Sequence, residues 1–254
     1  FIFDNMYLIF DTETTGLPKK WNAPLTDSDN WPRCVQLSWQ IHDQKGSLTS
    51  SRDYLIKPDG FKIPYDSENI HGISTELAIQ EGEGVNNVLN YFQDDLTKVD
   101  YIIGHNVKFD RNILGAEFLR KVKDDPFPAL KIIDTCTEET ANVCQIKGGP
   151  RGRFKLPTLT ELYFFLFNDK FEEAHNATAD VEATARVFFE LIRRKLIKPI
   201  AFDDQNLQTD QIIKIQNTIS LYGIKHKNLR LESQKLKSPS TDNRSPVLNQ
   251  LDLL

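Results

Sequence analysis

The run Met6–Phe10, MYLIF, reads as a β-strand, and it leads directly into Asp11-Thr12-Glu13 before the chain turns at Gly16-Leu17-Pro18. A strand sends residues i and i+2 to the same face, so Asp11 and Glu13 point the same way with α-carbons roughly 6.7 Å apart. Two carboxylates that close repel each other unless something positive lies between them. A chain that opens in this way must build a sheet around a buried strand and neutralise two acids at its end.

The rest of the chain supplies the sheet. CVQLSWQI and RDYLIK read as strands joined by the turn DQKGS, and the polar, proline-punctuated WNAPLTDSDNWP before them reads as a loop. VNNVLNYFQDDL carries Val85, Val88, Leu89, Phe92 and Leu96 at helical spacing. DYIIGHN is a short apolar strand, and FDRNILGAEFLRKV a helix in which Phe109, Ile113, Phe118 and Val122 share a face. LKIIDT reads as another short buried strand, and PTLTELYFFLF as a helix with Pro157 in its first turn. In ATADVEATARVFFELIRRKL, Val181, Ala185, Phe188 and Ile192 form the clearest helical stripe, with Arg193, Arg194 and Lys195 where cations suit the helix dipole. Three strands of antiparallel character followed by alternating helix and strand predict a mixed α/β sheet covered by helices.

Beyond Pro199 the character changes. NLQTDQIIKIQNTISLYGI suits one more helix, so 199–223 reads as a helical extension. Lys225 to Arg244 holds six Lys or Arg against two acids and almost no large apolar residues, the composition of a linker or tail. With 254 residues, the chain suits one large domain with an appendage or two small ones. The net charge of −5 argues against a generic nucleic-acid coat, but it permits a protein that holds a few phosphates locally. Three cysteines without CxxC spacing argue against a disulfide framework or a cysteine zinc site, and the expected compartment is reducing and cytoplasmic. No apolar run is long enough to span a bilayer, so no membrane partner is expected. No signal peptide is expected either, and residues 1–5, ahead of the sole methionine, are given no function.

Two further acids stand at strand-to-helix junctions: Asp110 after GHNVKF, and Asp180 in HNATAD. His175 lies five residues before Asp180, a step that cannot face one site if both are helical. The spacing therefore puts His175 in the preceding loop, Asn176 near the N-cap and Asp180 just inside the helix. Four carboxylates from a strand end and two helix starts suit hard cations, Mg²⁺ or Mn²⁺. Two such ions can activate water and stabilise a leaving oxygen in phosphodiester hydrolysis. Asp11 is the natural bridging ligand, with Glu13 and Asp180 completing one shell and Asp110 the other. A neutral His175 suits the general base near neutral pH.

FDTETTG, GHNVKFD and HNATAD resemble, in order, the three exonuclease motifs of the DEDDh branch of the DnaQ-like 3′→5′ exonucleases, which includes the proofreading subunits of bacterial replicative polymerases. NIHGIS also resembles the H-G-I-[ST] segment of those enzymes. The resemblance covers residues 6–198, the expected exonuclease domain. It implies a ribonuclease-H-like fold with a mixed five-stranded sheet, two divalent metals, and hydrolysis of single-stranded DNA 3′ ends to nucleoside monophosphates. The acids of the family map to Asp11, Glu13, Asp110 and Asp180, and its general base to His175. Thr14, Leu17, His71, Asn106 and Phe109 become candidates for holding the terminal nucleotide.

Several of these residues have plainer readings. His71 can serve a local turn, His105 and Asn106 can fix their loop, and Phe109 can be core. Arg151, Arg153 and Lys155 are either a solvated loop or a phosphate contact. The loop from Lys19 to Arg33 is longer than in compact members, which bears on substrate preference. QLDLL, Gln250–Leu254, resembles the short sliding-clamp-binding peptides of bacterial replication proteins, with Leu254 where those end in phenylalanine; it reads either as a tether to a clamp or as a terminus docked on its own domain, and the resemblance to the proofreading enzymes adds a polymerase catalytic subunit as a candidate partner. RNA trimming by the same superfamily and a non-catalytic replication adaptor are the alternatives.

Overall fold

The computed structural model describes residues 5–122, 125–127, 130–171 and 176–197. The expected helical extension 199–223 and the tail 224–254 with Gln250–Leu254 lie outside the described residues. A five-stranded mixed sheet has the order β3-β2-β1-β4-β5. Its strands are β1 (Tyr7–Thr14), β2 (Cys34–His42), β3 (Leu48–Leu55), β4 (Tyr101–Gly104) and β5 (Lys131–Asp134). β2 pairs antiparallel with both β1 and β3, whereas β4 pairs parallel with β1 and β5. The helices are α1 (Tyr65–His71), α2 (Thr75–Glu81), α3 (Val85–Leu96), α4 (Lys108–Lys121), α5 (Glu138–Cys144), α6 (Leu159–Phe167) and α7 (Ala177–Arg193). Among the described residues no helix is long and apolar enough to cross a membrane.

β1 is the central strand, and both its faces are covered, which is why its first half is uninterruptedly apolar. Even-numbered Leu8 and Phe10 enter a core with Val88 and Phe92 of α3 and Ile113 and Phe118 of α4. Odd-numbered Tyr7 and Ile9 enter another core with Val181, Ala185 and Phe188 of α7. The same alternation carries Asp11 and Glu13 to the α7 side and Thr12 to the α4 side.

Three expectations change in detail. β5 is not a buried strand: Lys131 and Ile132 are exposed, because among the described residues β5 is an outer strand paired only with β4. Pro157 lies outside α6, since Thr158 is the N-cap and forms a reciprocal capping box with Glu161. Val122 does not share the buried face of α4 but is exposed just past its end. α4 instead buries every residue from Asn112 to Phe118, because the 19–33 loop covers its outer side. Arg120 donates to the carbonyls of Ser28 and Trp31 at 2.6 and 2.7 Å, and Glu117 pairs with Arg33 at 2.7 Å. A Cβ at Gly115 would lie 2.8 Å from Cδ1 of Leu25 in that loop, so the missing side chain admits the loop. The short helices α1, α2 and α5, seven residues each, have too few turns to show a stripe in sequence.

Candidate active site

The acids converge at the end of β1. One oxygen each from Asp11, Glu13 and Asp180 lie within 4.8 Å of one another. Asp180 reaches the group from the first turn of α7, whose N-cap Asn176 accepts from the Thr178 and Ala179 amides at 3.1 and 3.4 Å. β2 seats that turn: Gln36 accepts the Ala177 amide at 3.3 Å, and the Ser38 hydroxyl lies 3.0 Å from that of Thr178. Gln36 and Ser38 are the register partners of Glu13 and Asp11, so the strand pairing aligns helix and acids.

Asp110 approaches from the first turn of α4 and is buried. Its Oδ1 accepts from the Thr12 hydroxyl at 2.6 Å and the Thr12 amide at 3.1 Å. Thr12 thus faces away from its two acidic neighbours and fixes a third acid beside them.

Burial is the largest cause that pushes Asp11 well above the usual carboxylate range, with the charges of Asp110, Asp180 and Glu13 adding to it. Burial, then Asp180 and Asp110, raise Glu13 to about 8. Burial raises Asp110 to about 7 against the opposing Thr12 hydrogen bonds. Such a cluster binds either protons or a cation, and its all-oxygen donor set suits a hard divalent ion.

The loop before α4 is secured by Asp134, which the sequence did not single out, and by His105, whose plainer reading is the one found. Asp134 at the end of β5 accepts the amides of Asn106 and Cys136, each at 2.8 Å. His105 lies 2.9 Å from the Thr135 hydroxyl and 3.0 Å from the Pro157 carbonyl, and burial lowers its pKa to about 4. A neutral ring donates from Nε2 to Pro157 and accepts at Nδ1, so His105 fixes the loop. Thr12, Asp134, Gln36 and Ser38 were legible only through strand parity and register.

Residues 8–188 match the family model of RNase T, described as an exonuclease. The chain belongs to that exonuclease family. The PolC-type DNA polymerase III of Pediococcus pentosaceus is 26% identical over 192 residues, 74% of this chain and 11% of that protein. That of Streptococcus pneumoniae is 26% identical over 228 residues, 90% of this chain and 14% of that protein. The chain therefore spans a small fraction of the length of these relatives. In structure it is similar to E. coli Exonuclease I in complex with a dA16 oligonucleotide, with a TM-score of 0.58 and 21% identity over 76% of this chain and 42% of that one. The zinc-bound form of the same enzyme with single-stranded DNA gives a TM-score of 0.58 and 22% identity, over 75% of this chain and 41% of that one. The fold is the RNase H-like fold of exonucleases.

In this exonuclease fold the candidate nucleotide-holding residues have varied surroundings. Leu17 is 72% exposed beyond the turn, where Gly16 adopts φ 133°, a conformation that favours glycine. The Thr14 hydroxyl donates to the Gly16 carbonyl at 2.8 Å and so shapes that turn. His71 ends α1; its Nδ1 accepts the Ile73 amide at 3.1 Å, which leaves the proton on Nε2, a buried atom that faces the Thr14 backbone. Asn106 is exposed at φ 60°, and half-buried Phe109 packs against the core and the Trp21 ring. Arg153 pairs with Glu138, and Lys155 with Glu161 at 2.7 Å, so acids already engage two cations of the 151–155 patch. His175 lies outside the described residues.

Proposed function

We propose that the chain is a 3′→5′ exonuclease that hydrolyses phosphodiester bonds at single-stranded DNA 3′ ends and releases nucleoside 5′-monophosphates, with two Mg²⁺ or Mn²⁺ ions as cofactors. The observation that carries this reading is the convergence of Asp11, Glu13 and Asp180, with the charge of Asp110 acting on the first two. When bound, the ions polarise the phosphodiester and stabilise the leaving oxygen. Asp11, Glu13 and Asp180 would hold one ion, and Asp11 with Asp110, oriented by Thr12, would hold the other. His175, one residue before the α7 cap, takes the proton of the attacking water, a task suited to its ordinary pKa of about 6.5. Leu17 and Phe109 offer apolar contact to the terminal nucleotide, and Thr14, Asn106 and His71 offer polar contact. Similarity to PolC-type polymerases supports a proofreading type that works beside a polymerase catalytic subunit. Gln250–Leu254 would tether it to a sliding clamp.

The test is hydrolysis of matched DNA and RNA strands with Mg²⁺, Mn²⁺ or chelator. Metal-dependent release of 5′-monophosphates, faster from DNA, is expected. Faster loss from RNA would make the chain an RNA-trimming enzyme, and no release from either would make it a non-catalytic adaptor.

A further inference from the structure

The 19–33 loop places on the surface an aromatic residue that the acid cluster does not use. Trp21 is 51% exposed, whereas Trp31 and Trp39 are buried. Its ring centroid lies 5.9 Å from that of Phe109, whose chain neighbour is Asp110, at an interplanar angle of 49°. The loop holding Trp21 is fixed on both sides. Buried Asn30 accepts the Lys20 amide at 2.7 Å and donates to the Lys20 carbonyl at 3.0 Å, and the Ala23 amide reaches back to the Lys20 carbonyl at 3.3 Å. At the base of the loop, Thr15 donates its amide to the Arg33 carbonyl at 3.0 Å, and its hydroxyl accepts the Arg33 amide at 2.9 Å. Hydrogen bonds thus fix the loop around a tryptophan that is left half in water.

The charges beside the two rings match that exposure. Lys19 and Lys20 precede Trp21, and Lys108 precedes Phe109; all three are exposed, and none forms an ion pair among the described residues. A protein of net charge −5 therefore keeps three exposed lysines, without ion pairs among the described residues, as chain neighbours of an aromatic pair. Aromatic faces stack on bases, and adjacent cations hold the backbone phosphates.

We propose that Trp21, backed by Phe109 and flanked by Lys19, Lys20 and Lys108, is a stacking platform for a nucleobase inward of the 3′-terminal nucleotide. This inference rests on the exonuclease reading and assigns a role to the 19–33 loop, which the three motifs do not include. The platform holds the strand while the end is cut, and it is indifferent to base identity because every base has a π-face.

The test measures affinity for a 5′-labelled single strand whose 3′ linkages are hydrolysis-resistant phosphorothioates, in Ca²⁺. Trp21→Ala should bind about 5- to 100-fold more weakly, and Trp21→Phe should retain most of the affinity. Strands with one abasic site stepped inward from the 3′ end localise the contact. At one inward position the abasic site should weaken wild type but not Trp21→Ala, and binding should quench the exposed Trp21 fluorescence in wild type. Equal affinities of wild type and Trp21→Ala, or equal sensitivity of both to every abasic position, would overturn the platform. Nucleotide release by wild type in Mg²⁺ reads out the hydrolase separately. Release with unaltered Trp21→Ala binding defeats the platform alone, whereas no release from DNA or RNA defeats the exonuclease reading and the platform with it.

Discussion

Replacing Glu13 with Gln should stabilise the metal-free protein. Glu13 has an ordinary pKa of 4.5 and sits at about 8 in the fold, because burial and the charges of Asp180 and Asp110 oppose its ionisation. A carboxyl group whose folded pKa is raised binds its proton more tightly when folded, so stability falls as pH climbs from 4.5 through 8. Buried His42 and His105, both lowered to about 4, have the opposite slope, but theirs lies between 4 and 6.5. The window from 6.5 to 8 therefore belongs to the acids. At pH 7 the raised pKa of Glu13 costs about 3 kcal/mol. Removing it should raise the melting temperature by about 6–12 °C in a domain of this size. The assay is thermal unfolding by circular dichroism from pH 6.5 to 8.5, in chelator and in Mn²⁺. Wild type in chelator should lose stability as pH rises, and Glu13→Gln should lose less. Mn²⁺ should stabilise wild type strongly and the variant weakly. A flat wild-type profile in chelator, or a variant that melts lower than wild type there, would refute the reasoning.

Three other outcomes are expected. Thr12→Val removes the 2.6 Å hydrogen bond to Asp110 and keeps the shape, so Asp110 should hold its proton more tightly; cleavage at pH 7 should fall about 10-fold and recover partly at higher pH, and an unchanged pH–rate profile would count against it. His175→Ala should slow the chemical step about 10²- to 10⁴-fold with metal affinity unchanged, as single-turnover kinetics and metal titration would show; weaker metal binding at an unchanged rate would contradict the base role. His105→Phe strands the Pro157 carbonyl and should cost about 1–3 kcal/mol in denaturant unfolding, whereas a midpoint equal to wild type would show that the loop does not depend on that bond.

The sequence was most informative where one periodic rule applied to one element. Strand parity alone put Asp11 and Glu13 on one face, and an N-cap at Asn176 put Asp180 inside α7, as found. Parity also implied that Thr12 turns away from both acids, but its grip on Asp110 depends on α4 arriving beside β1, a tertiary fact. For the same reason Asp134 reads as a strand end until β5 is known to run parallel to β4. α4 misled at Val122 because its outer face is covered by a polar-looking loop, whose Arg33 pairs with Glu117 and whose Ser28 and Trp31 carbonyls accept from Arg120. A hydrophobic stripe cannot report burial that is achieved by paired charges. Trp21 carried no periodic signal, since it lies in a loop.

The most direct measurement is digestion of a 5′-labelled DNA strand by wild type and Asp11→Ala in Mn²⁺, beside wild type in chelator. Wild type should shorten the strand one nucleotide at a time from its 3′ end, while the chelated enzyme and the folded variant leave it intact. A ladder from Asp11→Ala at the wild-type rate would show that the carboxylates gathered around β1 are not where hydrolysis happens.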